Sequence, residues 1–109
     1  MQTAEDEVVV VTVTAPAEDL ARRLARVLVE ERLAACAQVG GPIESTYRWE
    51  GEVQVDREWL LTIKTVSSQV PALARRVGEL HPYEVPEVVA VPAAGGAAAY
   101  LDWVGRESR

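Results

Sequence analysis

The sequence of 109 residues is short of the residue types that mark secreted, membrane and nucleic-acid-binding proteins. It contains one cysteine, Cys36, which excludes an internal disulfide and is typical of a reducing compartment. No apolar run reaches 18 residues, so a membrane-spanning helix is excluded. The acidic start lacks the basic residues and the apolar stretch of a secretory signal. We therefore expect a cytoplasmic protein that has no contact with a membrane.

Basic residues and enzyme motifs are also scarce. Only 11 Lys and Arg residues face 17 acids, giving a net charge of -6, and the sole lysine is Lys64. Nucleic-acid binding requires clustered positive charge, so we expect no nucleic-acid partner. The sequence has no phosphate-binding loop of the Walker type, no nucleophile elbow, no zinc-protease helix motif and no paired CxxC. We predict that the protein is not an enzyme.

The sequence does contain enough apolar residues, 49%, for a hydrophobic core, and its length fits one domain over residues 1–109. We predict a folded core over residues 7–106 and a flexible segment over residues 1–6. Periodicity and turn residues predict strand 7–14, helix 17–32, strand 36–49 with a bulge at residues 40–42, strand 53–65, a helix capped at Ser67 and Ser68, strand 85–92 and a C-terminal helix. This βαββαβ order predicts an α+β, ferredoxin-like fold with two helices on one face of an antiparallel sheet.

The hairpin over residues 36–65 is unusually long. The first helix spans ~24 Å, whereas the outgoing arm could span ~46 Å, so about 20 Å of hairpin should extend beyond the helices. The extension would carry Tyr47, Trp49, Val53 and Val55. An exposed two-stranded ribbon is marginal in water, and we favour pairing with another subunit over a free or folded-back arm.

Several segments together resemble the CutA divalent-cation tolerance family. They are residues 31–36, 47–51, 64–65, 80–87 and 100–103. The resemblance covers about residues 8 to 104 and implies a ferredoxin-like homotrimer formed through intersubunit β-pairing. It also implies architectural kinship with the PII signalling proteins, tolerance to divalent metals and copper binding. Only Cys36 and Met1 are soft donors here, which disfavours copper chemistry that needs several thiols or thioethers in one subunit.

Two sets of residues are candidates for a site. Cys36, His81 and Glu84 form a donor set that suits Cu(II) or another divalent cation, with Glu87 as a further oxygen donor. The alternatives are a small buried hydrophobe for Cys36 and a residue bonded to helix-end carbonyls for His81. No cofactor is required in either case.

The second set would line a cleft between subunits. Its members are Tyr47, Trp49, Lys64, Tyr83 and Glu87. The lysine could hold an anion while the aromatic rings stack on the ligand, as in a PII-like module. The alternatives are trimer packing for the aromatic residues and an ion pair of Lys64 with Glu87. We expect the acids at positions 50, 52, 56 and 58 to form a solvated face.

The sequence therefore predicts a trimeric cytoplasmic divalent-cation tolerance protein that binds copper or other divalent metal ions and takes part in the response to metal. Two alternatives stay open: a PII-like module that binds a small anion between subunits, and a non-enzymatic trimeric scaffold.

Overall fold

The computed structural model describes residues 6–109, which form four strands and three α-helices. The elements are β1 (Val8–Ala15), α1 (Glu18–Glu30), β2 (Cys36–Trp49), β3 (Glu52–Val66), α2 (Val70–Leu80), β4 (Val88–Pro92) and α3 (Ala98–Glu107). The strands form one antiparallel sheet in the order β2-β3-β1-β4. The predicted α+β class and element order are confirmed.

Alternation along β1 divides the sheet into a covered and an open face. Val9, Val11 and Val13 are buried, because successive strand residues point to opposite faces and these three face the helices. They pack in one core with Leu61 and Ile63 of β3 and with apolar residues of both α1 and α2. The opposite face carries the alternate residues of all four strands, and most of these residues are partly buried or exposed, with Thr14, Glu58 and Val66 as the buried exceptions. One face of the sheet is thus left open by α1 and α2.

The hairpin of β2 and β3 extends far beyond the rest of the sheet. Strand β1 pairs with β3 only from Trp59 to Val66, whereas β2 pairs with β3 down to Trp49 and Glu52. Residues 52–58 of β3 therefore pair with β2 alone, over a length of about 23 Å. The longest dimension of the molecule is 47 Å. This extension, residues 43–58, is called the overhang below, and it confirms the predicted long hairpin.

Two glycines shape the hairpin. The register of β2 shifts between Gly40 and Ile43, which confirms the predicted bulge, and Gly41 has a φ of 140°. A Cβ at Gly41 would lie 3.0 Å from Cδ1 of Trp59. At the tip, Glu50 and Gly51 have φ values of 51° and 83°. Positive φ at both central positions is the requirement of a type I′ hairpin turn.

The structure corrects three predicted boundaries. Strand β4 begins at Val88 rather than at residue 85, because Pro86 lacks the N–H group that a ladder needs. Helix α1 ends at Glu30 rather than at residue 32, since Arg32 has a φ of 61° and leaves the helical conformation. Residues Ser67–Gln69 form a 3₁₀ turn, and α2 begins without a capping side chain.

The N-terminal prediction falls largely outside the described residues, because residues 1–5 are not among them. Asp6 is described, and its carboxylate accepts hydrogen bonds from the amide and the hydroxyl of Ser68, both at 2.9 Å. Within residues 6–109, no helix combines the length and the apolar character needed to cross a membrane.

Candidate functional site

A cavity of about 670 Å³ lies between the overhang and the segment that leads into β4. It is lined by Thr14, Ser45, Thr46, Tyr47, Trp49, Glu58, Tyr83, Glu84, Val85, Pro86 and Glu87. Three separate parts of the chain therefore contribute to one site: the end of β1, the overhang and the segment before β4. The structure brings together four of the five residues predicted for a ligand cleft, and it adds Glu84 from the predicted metal set.

Strand periodicity explains how the overhang contributes its aromatic side chains. Tyr47 and Trp49 lie two residues apart on β2, so both point to the same face of the hairpin. The Tyr47 hydroxyl donates a hydrogen bond to the carboxylate of Asp56 on β3. This bond raises the pKa of Tyr47 above its ordinary value and holds its ring at the cavity.

Glu58 is the buried acid of the cavity, with 6% of its surface exposed. The Tyr83 hydroxyl donates a hydrogen bond of 3.1 Å to its Oε2 atom. Burial, followed by this bond, raises the pKa of Tyr83 to about 12. Burial, followed by the negative charge of Glu58, also raises the pKa of Glu87. Glu58 and Tyr83 thus form a hydrogen-bonded pair at the cavity wall, and the carboxyl of Glu87 lies close enough to interact electrostatically with Glu58.

The expectation that Glu58 belongs to a solvated face is wrong. The segment containing Tyr83 folds over this part of β3 and removes the side chain from water. A signal was present in the sequence, because Glu58 shares a strand face with Leu60 at the point where β3 becomes strongly apolar. An acid at the end of such a stretch is a candidate for a buried site residue.

His81 has a structural position at the edge of this site. It is 7% exposed, and its Nε2 atom lies 2.8 Å from the carbonyl oxygen of Thr14. A carbonyl oxygen only accepts, so Nε2 carries the proton, and Nδ1 accepts the backbone N–H of Tyr83 at 3.2 Å. The imidazole and the Tyr83 ring are 4.7 Å apart. His81 therefore fixes Tyr83, and both of its nitrogens are engaged.

Cys36 and Lys64 lie elsewhere on the sheet. They are cross-strand partners, and Val10 is the partner of Lys64 on its other side. Lys64 is six residues from Glu58 along β3, a distance of about 20 Å. The Lys64 ammonium donates to the side-chain oxygen of Gln38, rather than to an acid. The predicted cleft set is therefore separated within one chain, with Lys64 outside the cavity.

The predicted metal set is separated as well. Cys36 is half-buried. His81 contacts Thr14, and the strand register places Thr14 about 16 Å from Cys36 across the sheet. Cys36 instead neighbours Tyr100, whose pKa is raised by burial and then by the thiol. In the part of the chain that the structure describes, no three His, Cys, Asp or Glu side chains are grouped to hold a metal ion.

Comparison with known proteins agrees with the fold and the sequence motifs. The family model described as CutA1 divalent ion tolerance protein matches residues 9–107. The chain belongs to the CutA1 family. The resemblance noted from the sequence motifs is thereby confirmed.

Relatives within the CutA1 family come from bacteria, plants and animals. The divalent-cation tolerance protein CutA of Thermus thermophilus is 53% identical over 95 residues, which are 87% of this chain and 92% of that protein. The chloroplastic protein CutA of Arabidopsis thaliana is 46% identical over 101 residues, 93% of this chain and 56% of that protein. The chain thus spans little more than half the length of the plant relative. Neither name refers to a reaction.

A solved CutA1 structure shares the fold in detail. The divalent cation tolerance protein of Thermus thermophilus superposes with a TM-score of 0.92 at 49% sequence identity. The superposition covers 94% of this chain and 99% of that one. The overhang and the three-helix arrangement described above are therefore features of a CutA1 fold.

Proposed function

We propose that this CutA1 family member is a cytoplasmic, non-enzymatic homotrimer that binds divalent metal ions, copper among them, and takes part in the response to metal. Membership of a family named for divalent-ion tolerance supports the metal part of the proposal. The overhang supports the assembly part and is the observation that carries it.

The overhang exposes apolar side chains that a second copy would cover. Val53 and Val55, which lie on the opposite face of the hairpin from Tyr47 and Trp49, are 63% and 56% exposed. A two-stranded ribbon of this kind gains stability only when a further strand or surface packs on it. The two edges of the sheet, β2 and β4, differ, so a hairpin-to-edge contact is heterologous, and a repeated heterologous contact forms either a closed ring or an open filament. A cyclic trimer is a closed form of such a contact.

A metal site in such a trimer requires donors from more than one copy, because one chain groups no three donors among residues 6–109. Cys36 is the soft donor suited to copper, and it lies half-buried at the start of the edge strand β2. Glu84 lines the cavity and remains an oxygen donor. His81 is a poor donor in this state, since a metal would have to replace one of its two hydrogen bonds.

Assembly is tested by the mass of the protein in light scattering at micromolar concentration. We expect a trimeric mass, and we expect dissociation when Val53 and Val55 are both replaced by Glu. The control is Val29→Glu, which places the same charge on a 38%-exposed valine of α1 and should leave the mass unchanged. A monomeric mass for the unmodified chain contradicts the proposal.

Metal binding is tested by calorimetric titration with Cu(II). We expect Cys36→Ala to weaken binding by at least about tenfold, since it removes the thiolate donor. His81→Gln, which retains a donor for the Thr14 carbonyl, should leave the affinity within about twofold. Equal titration curves for Cys36→Ala and the unmodified chain would show that the thiol is not a ligand.

The cavity favours a second candidate function, a PII-like module that binds a small molecule. Its volume of about 670 Å³ lies within the usual range of ligand pockets, and aromatic and hydroxyl side chains line it. The sequence predicted an anionic ligand held by Lys64. Within one chain Lys64 lies about 20 Å from Glu58 of the cavity, so it cannot hold an anion there. A purely structural trimeric scaffold is the outcome if neither a metal ion nor a small molecule binds.

A further inference from the structure

The charge of the cavity lining has one sign. Glu58, Glu84 and Glu87 contribute three carboxyl groups, and within residues 6–109 the lining includes no lysine, arginine or histidine. An anion placed there would meet carboxylates with no compensating cation, which is unfavourable in a partly buried site. A cation would be attracted by the same groups.

Glu58 strengthens this preference because it is buried without an ionic partner. It is 6% exposed, and it takes part in none of the ion pairs found among the described residues. Its side chain accepts a hydrogen bond from the neutral hydroxyl of Tyr83. Buried carboxylates are normally paired with a cation. Glu58 lines the cavity, so a cation bound in the cavity could be its ionic partner.

The aromatic side chains add a second attraction for positive charge. Tyr47 and Trp49 are 39% and 42% exposed and line the cavity beside Tyr83. Aromatic faces attract ammonium and guanidinium groups through the ring quadrupole. A bare metal ion makes little use of such rings, and the described carboxylates are not grouped to coordinate one. The space also exceeds what a single ion occupies.

We infer that the cavity binds a small organic cation, one that carries a primary ammonium or guanidinium group, with Glu58 as its ionic partner and Trp49 against its charged end. The inference rests on the second candidate function, that the cavity takes a small molecule, and it fixes the charge of that molecule. It does not depend on metal binding through Cys36.

The test uses the full chain in its assembled state, with metal removed by a chelator, and three probes with the same four-carbon chain. Putrescine is dicationic, 1,4-butanediol is neutral and succinate is dianionic. We expect calorimetry to detect putrescine alone, and we expect the indole N–H signal of Trp49 to shift in nuclear magnetic resonance spectra. Binding should weaken as salt is raised, because the attraction is between charges.

A matched pair of variants locates the contact. Glu58→Gln removes the buried charge and keeps an acceptor for Tyr83, so it should weaken putrescine by at least about tenfold. Glu44→Gln removes the same charge from an exposed position on the hairpin, outside the lining set and on the opposite face of β2 from Tyr47 and Trp49, and should change the affinity by less than about twofold. Glu87→Gln provides a second lining variant should Glu58→Gln fold poorly, and it should also weaken putrescine.

Each outcome has a clear meaning. Binding of succinate or the diol in preference to putrescine overturns the inference but leaves a small-molecule cavity in place. The absence of binding by all three probes overturns both, and it would mean that another copy closes the cavity. Equal losses in Glu58→Gln and Glu44→Gln show general attraction to an acidic surface and also overturn the assignment.

Discussion

Replacing His81 by Leu separates a structural role from a metal-binding one. The imidazole joins two parts of the chain that are 67 residues apart, because Nε2 donates to the Thr14 carbonyl at 2.8 Å while Nδ1 accepts the Tyr83 amide. Leucine fills a similar space and offers neither bond. We therefore expect the substitution to destabilise the fold.

The magnitude follows from the burial of each partner. Thr14 is 6% exposed, so its carbonyl loses a donor that water cannot readily replace, at a cost of about 1–3 kcal/mol. Tyr83 is 36% exposed, and water can bond its amide at little cost. For a domain of this size, the loss corresponds to a melting temperature lower by roughly 4–8 °C for each kcal/mol. His81→Gln keeps a donor near the position of Nε2, and we expect it to lose less than half as much.

The assay is guanidinium unfolding of both variants at one protein concentration in the presence of a chelator. The concentration is held fixed because the stability of an oligomer depends on it, and the chelator prevents a bound metal from masking the change. Equal midpoints for His81→Leu and the unmodified chain would refute the structural role. Loss of copper binding by His81→Gln at unchanged stability would refute it equally, since only a ligand role predicts that result.

Two further predictions concern Tyr83 and the hairpin glycine. The pKa of Tyr83 is about 12, so the unfolded chain releases this proton near pH 10 while the folded chain retains it. Stability should therefore fall as pH rises from about 10 to 12, and Tyr83→Phe should flatten that slope in denaturant unfolding; an unchanged slope contradicts it. Gly41→Ala should destabilise by about 1–3 kcal/mol, because Gly41 has a φ of 140° and the new Cβ would lie 3.0 Å from Trp59. Gly78→Ala, in open space on α2, should instead stabilise by up to about 1 kcal/mol, and thermal unfolding of the two variants checks the opposite signs.

The fold was largely predictable because local rules and chain lengths determine it. The run of β-branched residues in β1, helical spacing around Leu24 and the turn at Glu50 and Gly51 each predict one element, and the structure confirms each. The overhang follows from length alone, because the 13 residues of α1 span only about 20 Å, whereas a strand of 14 residues can span about 46 Å. Boundaries were less predictable, because the position of Pro86 decides where β4 can begin to pair.

Residue types indicated part of the cavity lining but not its chemistry. Tyr47, Trp49, Tyr83 and Glu87 were assigned to a cleft on residue type, and the cavity contains all four. The hydrogen bond between His81 and Thr14 and the burial of Glu58 depend on how residues 81–87 fold back onto the sheet. A contact across 67 residues leaves no local pattern, so the sequence could not reveal it.

The sign of the charge in the cavity is set by strand register. Glu58 and Lys64 lie on the same face of β3, because they are an even number of residues apart. The segment before β4 covers the end of that face that holds Glu58, while Lys64 lies level with Cys36 and Val10 at the other end. If the segment before β4 packed six residues further along β3, it would cover Lys64 instead of Glu58. The lysine would then lie beside the aromatic rings and form the anion site expected from residue types. The observed packing places a buried carboxylate there instead, and a cation is therefore the ligand that the cavity of this chain favours.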